Sequence, residues 1–222
     1  MKSDSELRSD VEKELEWEPR IDERRLGVSV LDGIVTLTGD GASYSENWHV
    51  ERTVERVAGV LGVANELTVR VESERSDTDI AQAAAEALRW NVAVPSDHIR
   101  VEVANGWMSL HGEVDRDDQR RAAEASVRHL RGLTGLSNMI TIKPQVDAAD
   151  LQNKIEDAFQ RGALVDAKRI TIQAANGVVT MQGTVRSIRE RRDAEKAAWA
   201  APGVHKVHNH LKVVTDPHGQ GA

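Results

Sequence analysis

The chain has 222 residues, 40% of them apolar and 29% charged, with no cysteine and a formal net charge of −7. The lack of cysteine excludes a disulfide framework and a thiolate nucleophile. The acidic balance argues against nucleic-acid binding, where neutralisation of phosphates by Lys and Arg dominates affinity. No apolar run approaches the ~18 residues of a membrane-spanning helix, and the polar opening MKSDSELRSD predicts no secretory signal and a cytoplasmic location.

Leu7, Val11 and Leu15 recur every four residues, the apolar stripe of a short helix. Trp17 follows and is expected to close the end of the core. Leu26, Val28 and Val30 alternate, which predicts a strand with one buried face. Asp32-Gly33 then reads as a two-residue type I′ turn, whose central positions both need positive φ. A second strand buries Val35 and Leu37 and ends at Gly39. The Gly-rich stretch TGDGAS, Thr38 to Ser43, lacks the lysine of a phosphate loop and is a tight corner. Ser43 and Glu46 form a capping box for a second helix with Val50, Val54 and Val57 on its buried side, stopping near Gly59. A third strand runs through Leu67 and Val69.

The same sentence is then written twice more, 73 and then a further 71 residues along the chain. Leu7 falls on Ile80 and Leu151, Val11 on Ala84 and Ile155, Leu15 on Leu88 and Phe159, and Trp17 on Trp90 in the second unit. The turn recurs as Asn105-Gly106 and Asn176-Gly177. The second strand recurs with Met108 and Leu110, then Val179 and Met181. The second helix recurs with Ala123, Val127 and Leu130, then Ala194, Ala198 and Ala201. Its start is a Ser187/Glu190 capping box in the third unit and is expected at Asp115 in the middle one. The fold class is therefore α+β: three tandem αββαβ modules over residues 1–73, 78–144 and 149–215. Each is a small three-stranded mixed sheet with two helices on one face.

The repeated residues resemble the BON domain family, named for bacterial osmotically inducible and nodulation proteins. The pattern is carried by Gly33, Gly39, Gly59 and Asn65, by Gly106, Gly112, Gly132 and Asn138, and by Gly177, Gly183, Gly203 and Asn209. The resemblance implies an αββαβ fold, no catalysis, and a role on phospholipid surfaces in osmotic stress or envelope maintenance; no cofactor is expected. Many members are periplasmic, whereas this chain shows no signal peptide.

Three sets of residues are candidates for function. His205, His208 and His210 cluster in HKVHNH, and His208 and His210 share a strand face. They are weak metal-ligand candidates beside the simpler reading of a solvated strand. Charge differs by unit: net −6 over residues 5–71, −1 over 78–143 and +4 over 149–214. The excess lies on the third unit's second helix, where Arg189, Arg192, Lys196 and Trp199 form one stripe. A cationic stripe ending in Trp suits an anionic lipid surface. The competing reading packs that face against another unit or another copy of the chain. Finally, Ile34, Trp107 and Val178 repeat on the open sheet face, where stacking between units is expected. The resulting expectation is a non-enzymatic, stress-linked adaptor contacting an anionic phospholipid surface through its third module. The alternatives are a self-associating or protein-binding scaffold, and an ion or metal sensor.

Overall fold

The computed structural model describes residues 2–70, 75–143, 169–201 and 203–214. Module 1 runs α1 (Asp4–Glu16), β1 (Leu26–Leu31), β2 (Ile34–Gly41), α2 (Tyr44–Val54) and β3 (Gly62–Val69). Module 2 repeats this as α3 (Asp77–Trp90), β4 (Ile99–Ala104), β5 (Trp107–Val114), α4 (Asp117–Val127) and β6 (Gly135–Ile142). Module 3 supplies β7 (Ile170–Ala175), β8 (Val178–Val185), α5 (Ile188–Trp199) and β9 (Lys206–Val213). The helix expected through Leu151, Ile155 and Phe159 lies outside the described residues, as do the module boundaries at 73, 144, 149 and 215.

Each module holds one three-stranded mixed sheet with its middle strand antiparallel to the first and parallel to the third. The helices cover one face. Val35 and Leu37 of β2 are fully buried, as are Met108 with Leu110 and Val179 with Met181 at the matching places.

The hairpin turns are as the sequence implies. Asp32, Asn105 and Asn176 have φ of 51°, 52° and 48°, and the glycine after each is also positive. What holds the turn is a residue far away in sequence. Asp4, at the start of α1, accepts from the backbone N–H of Asp32 at 2.9 Å and of Gly33 at 3.1 Å. Asp77 does the same for Asn105 and Gly106 at 2.8 and 2.9 Å. One carboxylate thus satisfies two turn donors and sits favourably at a helix start. The strand-ending glycine is steric: a Cβ on Gly39, Gly112 or Gly183 would lie about 2 Å from the carbonyl oxygen of Arg25, His98 or Arg169.

The caps differ from expectation. Full capping boxes occur at Ser3/Glu6 and Ser76/Asp79 on the first helices. At the second helices Ser43 and Ser187 do cap, but Glu46 and Glu190 reach one residue further back, to the N–H of Ala42 and Arg186. The middle helix is not capped by Asp115. Its N-cap is Arg116, and the Gln119 carboxamide oxygen accepts from the N–H of both Asp115 and Arg116. The repeated asparagine ties the third strand to the second helix: Asn65, Asn138 and Asn209 donate to Glu51, Glu124 and Glu195 at 3.0, 3.3 and 3.0 Å.

Asp77→Ala would leave two turn donors without their carboxylate. Losing hydrogen bonds to a charged group costs roughly 1.5–3 kcal/mol each at most, and the turn is partly solvated, so the expected loss is about 2 kcal/mol. Urea unfolding would show it as a lowered midpoint with unchanged slope.

Candidate functional site

The three second helices meet one another, start to end. At the first joint, the start of α2 rests on the end of α4. Tyr44 packs against the module 2 core, Ser45 Oγ is 2.7 Å from His129 Nδ1, and Trp48 lies beneath the Arg128 guanidinium at 3.8 Å. At the second joint, the start of α4 meets the end of α5, where Arg120 stacks on the Trp199 ring at 4.7 Å. At the third joint, the start of α5 returns to the end of α2. Ile188 is 4% exposed and belongs to the module 1 core, and the Arg189 N–H donates to the Glu55 carbonyl at 3.3 Å. The contact runs from module 1 to 2, 2 to 3 and 3 to 1. This is a closed head-to-tail ring with pseudo-threefold symmetry.

The ring decides where the cationic stripe goes. Arg192 turns into the third joint, with Nη2 at 2.6 Å from a Glu55 carboxylate oxygen and 3.4 Å from Glu51. Trp199 packs between the cores of modules 2 and 3. Arg189 and Lys196 stay exposed, and Arg189 is 3.5 Å from Asp193. Two of the four residues are therefore joint residues and two face solvent, so they do not form one continuous outer surface. The sequence signal for this was Trp48, which occupies the Arg192 position in module 1 and is equally covered.

Glu55 is 4% exposed. Burial pushes its carboxyl up to about 7, and the opposing pull of Arg52 and Arg191 only partly offsets this. Asp117, at the second joint, is 3% exposed and lies between Arg120 and Arg121 at 2.5 and 2.7 Å. Burying such carboxylates beside guanidiniums adds little net stability, but removing one partner strands a charge.

The other candidates fall apart from the ring. His208 and His210 stack at 6.2 Å between ring centroids, while His205 lies against Gly177. Among the described residues no group of three or more metal-ligating side chains is placed to hold an ion. Trp17 and Trp90 do not close the core: they are 84% and 80% exposed, because the buried stripe of each first helix ends at Leu15 and Leu88 and the tryptophan lies off it. Nor do the open sheet faces stack between units. Ile34 and Trp107 are 41% and 52% exposed. Trp107 instead lies flat over Gly135 and donates to Ser137 Oγ at 3.0 Å within its own sheet. The modules join through their helices because those carry the complementary side chains. Among the described residues no helix is long and apolar enough to cross a membrane.

These features define a tandem-module α+β protein whose modules are joined edge to edge by their second helices. The family described as "BON domain" matches residues 3–71, 76–144 and 147–215, and the chain belongs to that family in three copies. Osmotically-inducible protein Y of Escherichia coli (strain K12) is 27% identical over 146 residues, covering 63% of this chain and 73% of that protein. Among solved structures, one described as CdsD, a structural protein of the type III secretion system of Chlamydia trachomatis, aligns over 96% of this chain and 95% of its own. It does so at 15% identity and a TM-score of 0.28. The C-terminal domain of CdsD aligns over 96% of this chain and 100% of its own, at 14% identity and a TM-score of 0.27. Both scores are too low for a shared arrangement of the whole chain to be read from them.

Glu55 gives the third joint a pH signature. An unfolded glutamate ionises near 4.5, and the folded one near 7. Between those values the folded state holds more protons than the unfolded state, so Glu55 makes stability fall as pH rises. Urea midpoints measured from pH 4.5 to 8 for the wild type and for Glu55→Gln should differ in slope, with the variant flatter over that window. Parallel profiles would show that Glu55 ionises normally.

Proposed function

We propose that this chain is a non-enzymatic, osmotic-stress-linked binding protein that uses its three-module ring as a rigid platform on a lipid surface. The osmotic link rests on the likeness to a protein named for osmotic induction. The lipid contact rests on one observation: Trp17, Trp90 and the adjoining Val92 are 84%, 80% and 103% exposed. Trp17 and Trp90 hold the same position in modules 1 and 2. In a pseudo-threefold ring, matching residues lie at the same height along the axis, so a flat surface normal to that axis that reaches one tryptophan reaches the other. Indole side chains favour the headgroup zone, where an apolar ring and an N–H are both accommodated.

Cations contribute less than the stripe alone suggests, because Arg192 and Trp199 serve the joints. The exposed Arg189 and Lys196 remain as the source of any preference for anionic lipid, in a chain whose net charge of −7 opposes it. A second reading, a scaffold for a protein partner or a second copy, is supported by Trp107 and Met139. These two are 52% and 60% exposed on the same outer sheet face of module 2.

Flotation with phosphatidylcholine and phosphatidylglycerol vesicles, at low and physiological salt, separates these readings. Burying an aromatic side chain contributes about 1.5–3 kcal/mol, so Trp17→Ala with Trp90→Ala should weaken vesicle binding by tenfold or more. Arg189→Glu with Lys196→Glu should alter only the preference for anionic lipid. Loss of binding in the charge variant alone would return the contact to the module 3 stripe. No flotation of the wild type, with a mass that rises with concentration, would favour the scaffold.

A further inference from the structure

Where the three modules meet, the ring frames a solvent-open cavity of about 410 Å³. Trp48, Arg121 and Arg192 occupy one and the same repeat position in modules 1, 2 and 3, and all three line this cavity. Three equivalent residues can share one wall only where the pseudo-threefold axis passes. The cavity is thus a product of the ring and belongs to no single module.

Its wall is cationic. Five basic side chains line it against three carboxylates, Asp117, Asp193 and Glu195, in a chain that is acidic overall. Each carboxylate already has a partner of its own. Asp117 lies between Arg120 and Arg121, Asp193 faces Arg189 from outside the cavity, and Glu195 accepts from Asn209 at 3.0 Å. Lys196 is exposed and forms no ion pair among the described residues. Arg52 is 3.6 Å from Glu55, which it shares with Arg192, and lies over the Trp48 ring at 4.9 Å. Arg121 Nε and Asp117 Oδ2 also lack a well-aligned hydrogen bond but face each other at 2.7 Å, whereas two further donors on lining side chains, Arg192 Nη1 and Trp199 Nε1, are buried with no acceptor in the protein. Buried donors in folded proteins are almost always partnered, so a cluster of unpartnered donors beside surplus positive charge calls for an acceptor.

We propose that this axial cavity binds a small, multiply charged oxyanion of the phosphate class, held by Arg52 and Lys196 with Arg121 and Arg192 behind them. The volume lies in the ordinary range of small-ligand sites. Planar guanidinium forks match phosphate oxygens in geometry as well as charge. Because the wall comes from all three modules, such an anion binds only the closed ring and stabilises it by mass action. This site stands apart from the tryptophans of the lipid reading but shares Lys196 with its preference for anionic lipid, so Arg52→Gln, which the lipid reading does not use, tells the failure of one from the failure of the other.

The test is thermal unfolding and titration calorimetry of the full chain with sodium pyrophosphate and with orthophosphate, against sodium chloride at matched ionic strength. The expected result is a rise in melting temperature with pyrophosphate beyond the chloride control. Lys196→Glu and Arg52→Gln should each weaken pyrophosphate binding by tenfold or more. Lys206→Glu, exposed on β9, removes the same charge as Lys196→Glu elsewhere and should leave binding intact. A melting rise no larger than with chloride, or one kept in both cavity variants, overturns the proposal. Adding pyrophosphate to the flotation assay identifies the source of the anion. Displacement of protein from phosphatidylglycerol vesicles means that the cavity takes a lipid phosphate, and unaltered flotation alongside the melting rise means a soluble one.

Discussion

The rest of the structure depends on the start of each second helix settling onto the end of the next. A module of some seventy residues buries only about 60% of the surface its unfolded chain exposes, and it is marginal alone. The joints add what a module lacks. Ile188 leaves its own module and completes the core of module 1, Tyr44 packs onto module 2, and Trp199 is shared by modules 2 and 3. Each of these residues lies at an end of a second helix, where it extends past its own sheet. The ring therefore stabilises its parts by exchanging one large side chain per joint. Opening any one joint uncovers apolar surface in two modules at once.

This arrangement also separates two kinds of surface. Beyond the stripe packed on its own sheet, several second-helix side chains, Trp48, Arg121, Arg192 and Trp199 among them, become joint or cavity. The first-helix ends and the outer sheet faces look outward and keep their apolar residues in solvent, as Trp17, Trp90 and Trp107 do. An exposed indole on a rigid frame loses little conformational freedom on binding, which is what makes a preorganised contact effective. Trp107 is fixed further by Gly135 beneath it and Ser137 beside it.

Local order was legible in the residues, and long-range order was legible only in part. The hairpin turns follow from the Asp-Gly and Asn-Gly pairs, because positive φ is a property of the residues themselves. The helices and strands follow from apolar spacing, tripled and in register. The Asp4 and Asp77 clamps were not legible, since they join a helix start to a turn 28 residues away, and only the packed helix brings the two together. The tryptophans at the ends of the first helices differ from expectation because apolar bulk is taken for core, although each lies two residues past the last residue of its buried stripe. For the stripe on α5, composition alone left a lipid surface and a module contact open. Structure assigns Arg192 and Trp199 to the contact because Glu55 and Arg120 stand opposite them.

The joints explain why the copies had to diverge. Three identical modules with a head-to-tail contact could join in any order, or join modules of different chains. A heterologous interface is closed only by geometry and carries no label of its own. Here the labels are chemical. Trp48 meets Arg128, Trp199 meets Arg120, and Arg192 meets Glu55. Exchange of partners is costly in each case. Arg192 against Arg128 would bring two guanidiniums together, and Trp48 against Glu55 would remove the closest cation from a buried carboxylate, leaving Arg52 at 3.6 Å. Wrong pairings are excluded by repulsion and stranded charge as much as right ones are favoured by contact. The fold residues, the turn pairs and the strand-ending glycines, stay constant across the modules because every copy needs the same backbone. The joint residues differ because no two copies have the same neighbour.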